Sequence, residues 1–331
     1  MHDPLLLLLL VIGSSLVFDF VNGFHDASNA IATSVATRVI SPRWAIIMAA
    51  GLNLLGALSG TEVAKTVGFG ILTAAGVTQI GLLSAVVAAI TWNLVTWYYA
   101  LPSSSSHALM AGLVGAGIAT AGPGTLKWAG LNKILAAIIL SPLFGFVAAF
   151  VVMILMLRIF AASAPTAVTR VTRRLQIVSA AYMAYSHGRN DAQKAMGIMA
   201  VAIASYQGSS EPHVPFGVML AAAVAMGFGT AIGGWRIMRT MGWRLTQLKP
   251  IHGFSAEFSA ATVIETASHF GVPISTTHTI NAAIMGVGST RRLSAVKWGV
   301  GRDIVIAWII TIPACAALSW AVCELLRFIA S

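Results

Sequence analysis

Charge is what this 331-residue chain has least of. Asp and Glu total 10 and Lys and Arg 20, so charged residues are 9% of the sequence, against about 25% in a soluble domain. So few charges cannot coat a water-soluble fold of this size, which excludes a cytosolic enzyme, a nucleic-acid reader and a disordered tail. Cysteine is nearly absent too. Cys315 and Cys323 stand alone in the last apolar run; they read as packing residues and carry no information on the redox compartment. The N-terminus lacks the features of a secretory signal. His2 and Asp3 stand where a positive region would be needed, and no clear A-x-A-like site follows. The run PLLLLLLVIGSSLVF is therefore expected to be a first transmembrane helix.

What is present is apolar. Hydrophobic residues make up 57% of the chain and mean hydropathy is +0.84. The net charge of +10 sits mostly in short loops, where it sets topology in the membrane and needs no nucleic-acid partner. Stretches long enough to span a bilayer, about 20 residues, cover roughly 4–38, 44–60, 80–100, 134–157, 176–205, 216–234, 252–270 and 303–326. Two shorter runs, 107–121 and 278–289, follow the breaks LPSSSS and VPISTT, as expected of discontinuous helices or re-entrant hairpins. The expectation is an all-α polytopic membrane protein with about ten membrane-embedded segments.

The chain repeats itself. LPSSSSHALMAGLVGAG (101–117) aligns without a gap on VPISTTHTINAAIMGVG (272–288), an offset of 171 residues. GFHDASNA (23–30) aligns on GRNDAQKA (188–195) at an offset of 165. Two motifs in one order at nearly one spacing indicate an internal duplication. The expected division is a first repeat over 1–157, a short cytoplasmic linker over 158–175 and a second repeat over 176–331. Three plain spans and a two-armed hairpin give each half an odd number of crossings, so the second repeat should be inverted. The basic residues agree. Arg38 and Arg43, Arg158, Arg170, Arg173 and Arg174, Arg236, Arg239, Arg244 and Lys249, and Arg291, Arg292, Lys297 and Arg302 fall on one predicted side. Only Lys65, Lys127, Lys133 and Arg327 fall on the other. The bias places both termini outside. Inverted repeats with broken helices characterise secondary transporters, which hold substrate where the repeats meet.

Asp26 and Asp191 occupy equivalent places in the two repeats at membrane depth, where an ionisable residue is costly and functional by default. With Asn22, Asn29, Asn190 and Gln193 nearby they offer hard oxygen ligands for a small cation, or a proton site. The alternative is a helix cap. Ser103, Ser104, Ser105 and Ser106, then Ser275, Thr276 and Thr277, each follow a Pro and open an apolar helix. One cap needs one hydroxyl, and a helix start also offers free N–H groups and a positive dipole end for an anion. His107 and His278, in the first turns of those helices, could pack, cap or orient a ligand. Lys194 could pair with Asp191 three residues earlier or touch an anion. Asn93, Glu257 and Glu265 are further buried polar candidates, and the two glutamates, eight apart, should share a helix face.

These residues also carry a resemblance. GFHDASNAIATSVATRVISP, TWNLVTWYYALPSSSSHALMAGLVGAG, HGRNDAQKAMGIMA and GVPISTTHT resemble the inorganic phosphate transporter (PiT, or Pho4) family over nearly the whole chain, and most of all its bacterial low-affinity permeases. The resemblance implies symport of inorganic phosphate with H⁺ or Na⁺, H⁺ being favoured, through an inverted-repeat fold in the cytoplasmic (inner) membrane. It implies phosphate binding near the tips at 103–106 and 275–277, and the family's paired Asn/Asp motifs match Asp26, Asn29, Asn190 and Asp191; the expected anion contacts are the tips with Asn29, Asn190 and Lys194. The expected cation-coupling residues are Asp26, Asp191, Asn93 and Glu257. No cofactor and no enzymatic activity are expected. Many relatives carry a long insertion between the halves that is missing here, which leaves room for a separate cytoplasmic regulatory partner; a homodimer is a further expected assembly. A sulfate symporter of the same family is the alternative, and a passive anion channel a weaker one, because buried acidic residues would repel an anion that travels alone. A lipid phosphatase would want more basic residues than Arg189 and Lys194.

Overall fold

A computed structural model describes residues 3–209 and 213–330, leaving His2 outside. The described residues are 84% helical with no strand, as the sequence predicts. The first half holds α1 (Pro4–Ala36), α2 (Pro42–Ala57), α3 (Glu62–Phe69), α4 (Gln79–Tyr98), α5 (Ser105–Ala121) and α6 (Trp128–Ile159). The second holds α7 (Pro165–Gln207), α8 (Phe216–Ile232), α9 (Trp235–Arg239), α10 (Pro250–His269), α11 (Thr276–Ser289) and α12 (Trp298–Ala330). Asp3 caps α1, its carboxylate accepting from the Leu5 N–H at 2.9 Å. Of the stretch 158–175, only residues 160–164 lie outside a helix.

Two of the expected spans are realised as short helices that continue past a bend. The run 44–60 is α2, which turns 69° into α3 beyond the run; the run 216–234 is α8, which turns 57° into α9 and a short π-helix, Thr240–Arg244. The first break follows from Ser59, whose hydroxyl donates to the Gly56 carbonyl at 2.6 Å, and from Gly60. The second follows from Gly233–Gly234, Gly233 having a φ of 79° that side chains avoid. Four described helices are long and apolar enough to cross a membrane alone, or six if each bent pair counts as one span.

The helices α4–α5 and α10–α11 form hairpins, and each hairpin packs on the other half's last helix: α5 on α12, α11 on α6. Likewise α1 packs on α8, and α7 on α2. Glycine permits these seats. A Cβ at Gly115 would meet the Ala316 backbone of α12, and one at Gly286 the Phe146 backbone of α6.

The open ends of the hairpins lie at opposite ends of α7. That helix has 43 residues and is about 65 Å long at 1.5 Å per residue. The loop closing α4–α5, where Lys127 N–H donates to Ile71 O at 2.9 Å, borders a groove with Val201 and Gly208 near the C-terminal end of α7. The loop closing α10–α11, where Lys297 N–H donates to Leu245 O at 2.9 Å, lies with Arg291 and Lys249 beside Pro165 and Val168 at the N-terminal end. The hairpin tips point inward from the two ends and meet between two apolar clusters, one around α4 and α5, the other around α10 and α11.

Candidate functional site

The two tips are built alike. The incoming arms end at Tyr98 and His269, each followed by a left-handed residue, Ala100 or Gly271, and then by Pro102 or Pro273. Ser104 and Ser275 cap the outgoing helices, accepting from the His107 N–H at 3.2 Å and the His278 N–H at 3.1 Å. Capping uses one hydroxyl in each run, so the next two are available for other contacts. Ser105 donates to Asp26 Oδ2 at 2.7 Å and to Asn22 Oδ1 at 2.6 Å. Its counterpart Thr276 donates to Asp191 Oδ2 at 3.0 Å. The following residue crosses to the other half. Asn29 donates to Thr277 at 2.9 Å, while Lys194, which aligns with Asn29, bonds to Ser106, which aligns with Thr277. Each carboxylate thus serves its own hairpin, and the residue three positions on serves the partner hairpin.

The centre is closed to solvent. Asp26 is 2% exposed and Asp191 fully buried, and all seven tip residues are buried. Ligand atoms of Asp26, Asp191 and His187 lie within 4.8 Å of one another, so the carboxylates converge as their equivalence predicts. Thr277 bridges the halves, donating to Asp26 Oδ2 at 3.4 Å. Ser106 donates to the Ile274 carbonyl of the opposite tip at 3.1 Å. His107 and His278 meet with ring centroids 4.3 Å apart and perpendicular, and His278 stacks on Trp308. Of the readings open for these histidines, the structure realises packing at the seam between the tips.

The remaining candidates divide between this centre and its surroundings. Lys194 takes the pairing alternative, contacting Asp191 Oδ1 and the Ile274 carbonyl at 3.2 Å. Asn190 turns away and donates to Ser268 at 2.8 Å. Asn93 is buried one turn before Thr96, and its side-chain atoms have no hydrogen-bond partner. Glu257 forms a second buried centre, about 10 Å along α1 from Asp26 at 1.5 Å per residue. It accepts from Thr33, Ser179 and, at 3.4 Å, Gln176. Glu265 shares the α7-facing side of α10 with Glu257, but pairs with Arg189, outside the centre.

Two histidines for which the sequence supports no claim belong to the site. His25 Nδ1 lies 2.6 Å from Asp26 Oδ1, its Nε2 reaching Thr96 at 3.1 Å. His187 Nε2 lies 3.1 Å from Asp191 Oδ2. The signal was present in the alignment: NGFHD in one repeat faces HGRND in the other, so His and Asn exchange places around the same Asp.

The sequence pattern of the phosphate transporter family (PHO4) matches residues 22–319. The chain belongs to that family. Curated relatives span it almost whole. A "Probable low-affinity inorganic phosphate transporter" of Rhizobium meliloti (strain 1021) is 48% identical over 95% of this chain and 94% of its own. One of the same description from Bacillus subtilis (strain 168) is 45% identical over 95% of each. A solved structure, "The sodium-dependent phosphate transporter", superposes with a TM-score of 0.88 at 28% identity, covering 98% of this chain and 99% of its own. This PHO4 protein is therefore a phosphate transporter, a multi-pass protein of the cytoplasmic membrane and not an enzyme.

Proposed function

We propose that the protein is a cation-coupled phosphate symporter with two inverted repeats, in which the paired hairpin tips bind phosphate and Asp26 and Asp191 couple it to the cation. One observation carries this reading: two buried carboxylates converge where two hydroxyl-rich tips meet, each bonded to its own tip. An anion channel gains nothing from acid groups at that point. A phosphate dianion entering against 100 mV costs about twice 2.3 kcal/mol, so at least two positive charges must accompany it.

The proton is favoured as the coupling ion. A metal cation needs several open oxygen ligands, and the carboxylates here already hold protein donors: His25 and Ser105 on Asp26, Lys194 on Asp191, Thr33, Ser179 and Gln176 around Glu257. Asp26, Asp191, Glu257 and Asn93 are the proposed coupling residues, the three carboxylates as proton carriers, with Ser103–Ser106, Ser275, Thr276, Thr277, Asn29, Asn190 and Lys194 shaping the anion site. Sodium is the second reading, supported by the likeness in fold to a transporter described as sodium-dependent. Labelled phosphate uptake into proteoliposomes, with pH and Na⁺ gradients imposed in turn, separates the two. Accumulation driven by the pH gradient alone fits the proton reading, accumulation driven by Na⁺ alone the second, and uptake that never exceeds equilibrium overturns symport. Competition by sulfate stronger than that by arsenate would instead favour the sulfate alternative.

A further inference from the structure

The two halves of the site differ in one charge. In the first repeat the residue three positions after the aspartate is Asn29; in the second it is Lys194. Asn29 donates to Thr277 and leaves its Oδ1 buried without a partner, and Asp26 has no Lys or Arg beside it. The Lys194 ammonium is wholly enclosed. It lies among three oxygens from three different parts of the chain: Asp191 Oδ1 on α7, Ser106 Oγ on α5 and the Ile274 carbonyl of the opposite tip. A carboxylate, a hydroxyl and a main-chain carbonyl are the oxygen types that hold a hard metal cation. An ammonium with three donors fills the same set as a tethered charge.

We propose that Lys194 is a resident substitute for a metal cation: its ammonium occupies a latent Na⁺ site made by Asp191, Ser106 and the Ile274 carbonyl, and so keeps Na⁺ out of the second repeat. The proposal rests on reading this centre as the transport site. It explains why only one carboxylate of an otherwise matched pair carries a permanent partner. It also makes the halves unequal, since a charge fixed to α7 cannot leave with the substrate and Asp191, unlike Asp26, is closed to a travelling metal cation.

Removal of the ammonium tests it. Lys194→Ala opens the site, and Lys194→Asn restores the first repeat's residue while keeping a donor for Ser106. Lys194→Met removes the charge but keeps most of the volume. Radioactive ²²Na⁺ binding and melting in NaCl against equal choline chloride are measured on the purified full chain, with phosphate uptake by wild type from the same preparation. The expected result is that Lys194→Ala and Lys194→Asn bind an additional Na⁺ relative to wild type. Their melting temperatures should rise with NaCl, as binding to the folded state alone requires, while Lys194→Met gains neither. If both opened variants match wild type in Na⁺ binding and in the salt response of melting, the latent site does not exist. Absence of phosphate uptake by wild type would instead overturn the transport reading, whatever the variants bind.

Discussion

Asp26 and Asp191 are equivalent by alignment but differ in what surrounds them, and mutation should reveal the difference. Asp26 faces His25, Ser105 and Thr277. Asn in its place keeps the shape, and the Ser105 and Thr277 hydroxyls can turn to accept from its amide, so Asp26→Asn should fold, melt close to wild type and lose concentrative phosphate uptake in proteoliposomes. Full uptake by this variant would remove Asp26 from coupling. Asp191→Asn should also lose uptake, and it additionally strands the buried ammonium of Lys194. Breaking a buried pair from one side costs about 3–5 kcal/mol, so its melting temperature should fall, and adding Lys194→Met should restore much of the loss. Equal melting of the two single variants would contradict the pairing. The tips form the third test at this scale. Ser105→Ala with Ser106→Ala, or Thr276→Ala with Thr277→Ala, should each weaken phosphate binding at least tenfold. A hydrogen bond to a charged group is worth about 1.5–3 kcal/mol, and 1.4 kcal/mol is a factor of about ten. Normal binding by either double variant would mean that one tip suffices.

The hairpins are the elements that turn these residues into a site, and their seats are glycines. Gly286 lets α11 lie against the Phe146 carbonyl of α6, whereas a Cβ at Gly299 of α12 meets nothing within 4 Å. Gly286→Ala should therefore destabilise the protein by about 1–3 kcal/mol, the usual range for overpacking, and reduce uptake by shifting Thr276 and Thr277. Gly299→Ala should be neutral or stabilise by up to about 1 kcal/mol, because it only removes a helix glycine. Thermal melting in detergent checks both, and unchanged melting of Gly286→Ala would show that α11 has room to move. The hairpins themselves were legible from sequence, because Pro102 and Pro273 before hydroxyl runs are strong local stop and start signals. The short helices beyond α2 and α8 were not, since the apolar runs stop at Gly60 and Gly234 and the charged stretches that follow, with Glu62 and Lys65 or Arg236 and Arg239, read as loops. Nor were the partners of Glu257, Asn190 and His187: these contacts join helices far apart in sequence, and no local pattern encodes which faces meet. The choice of Lys194 between Asp191 and an anion was open for the same reason, until α5 and residue 274 were placed around it.

At the scale of the whole molecule, the basic residues and the length of α7 point to one topology by separate routes. Loops expected on one side carry most of the Lys and Arg, which the positive-inside rule assigns to the cytoplasm. Independently, α7 is one helix of 43 residues, about 65 Å long and more than the 40–45 Å of a bilayer with its headgroups. A helix of that length that crosses the bilayer emerges on both sides, carrying one hairpin's open end with each. Arg170 near the first end and Gln207 near the second are both exposed. The natural Cys315 and Cys323 are buried and should give little background. Arg170→Cys should accordingly react with a membrane-impermeant maleimide only in inside-out vesicles, and Gln207→Cys only in intact cells. Labelling of both from one side would break the inverted arrangement, and with it the idea that the tips approach a common centre from opposite faces. The reverse assignment, Arg170 outside and Gln207 inside, would keep the repeats inverted but reject the charge rule as the determinant of orientation in this chain.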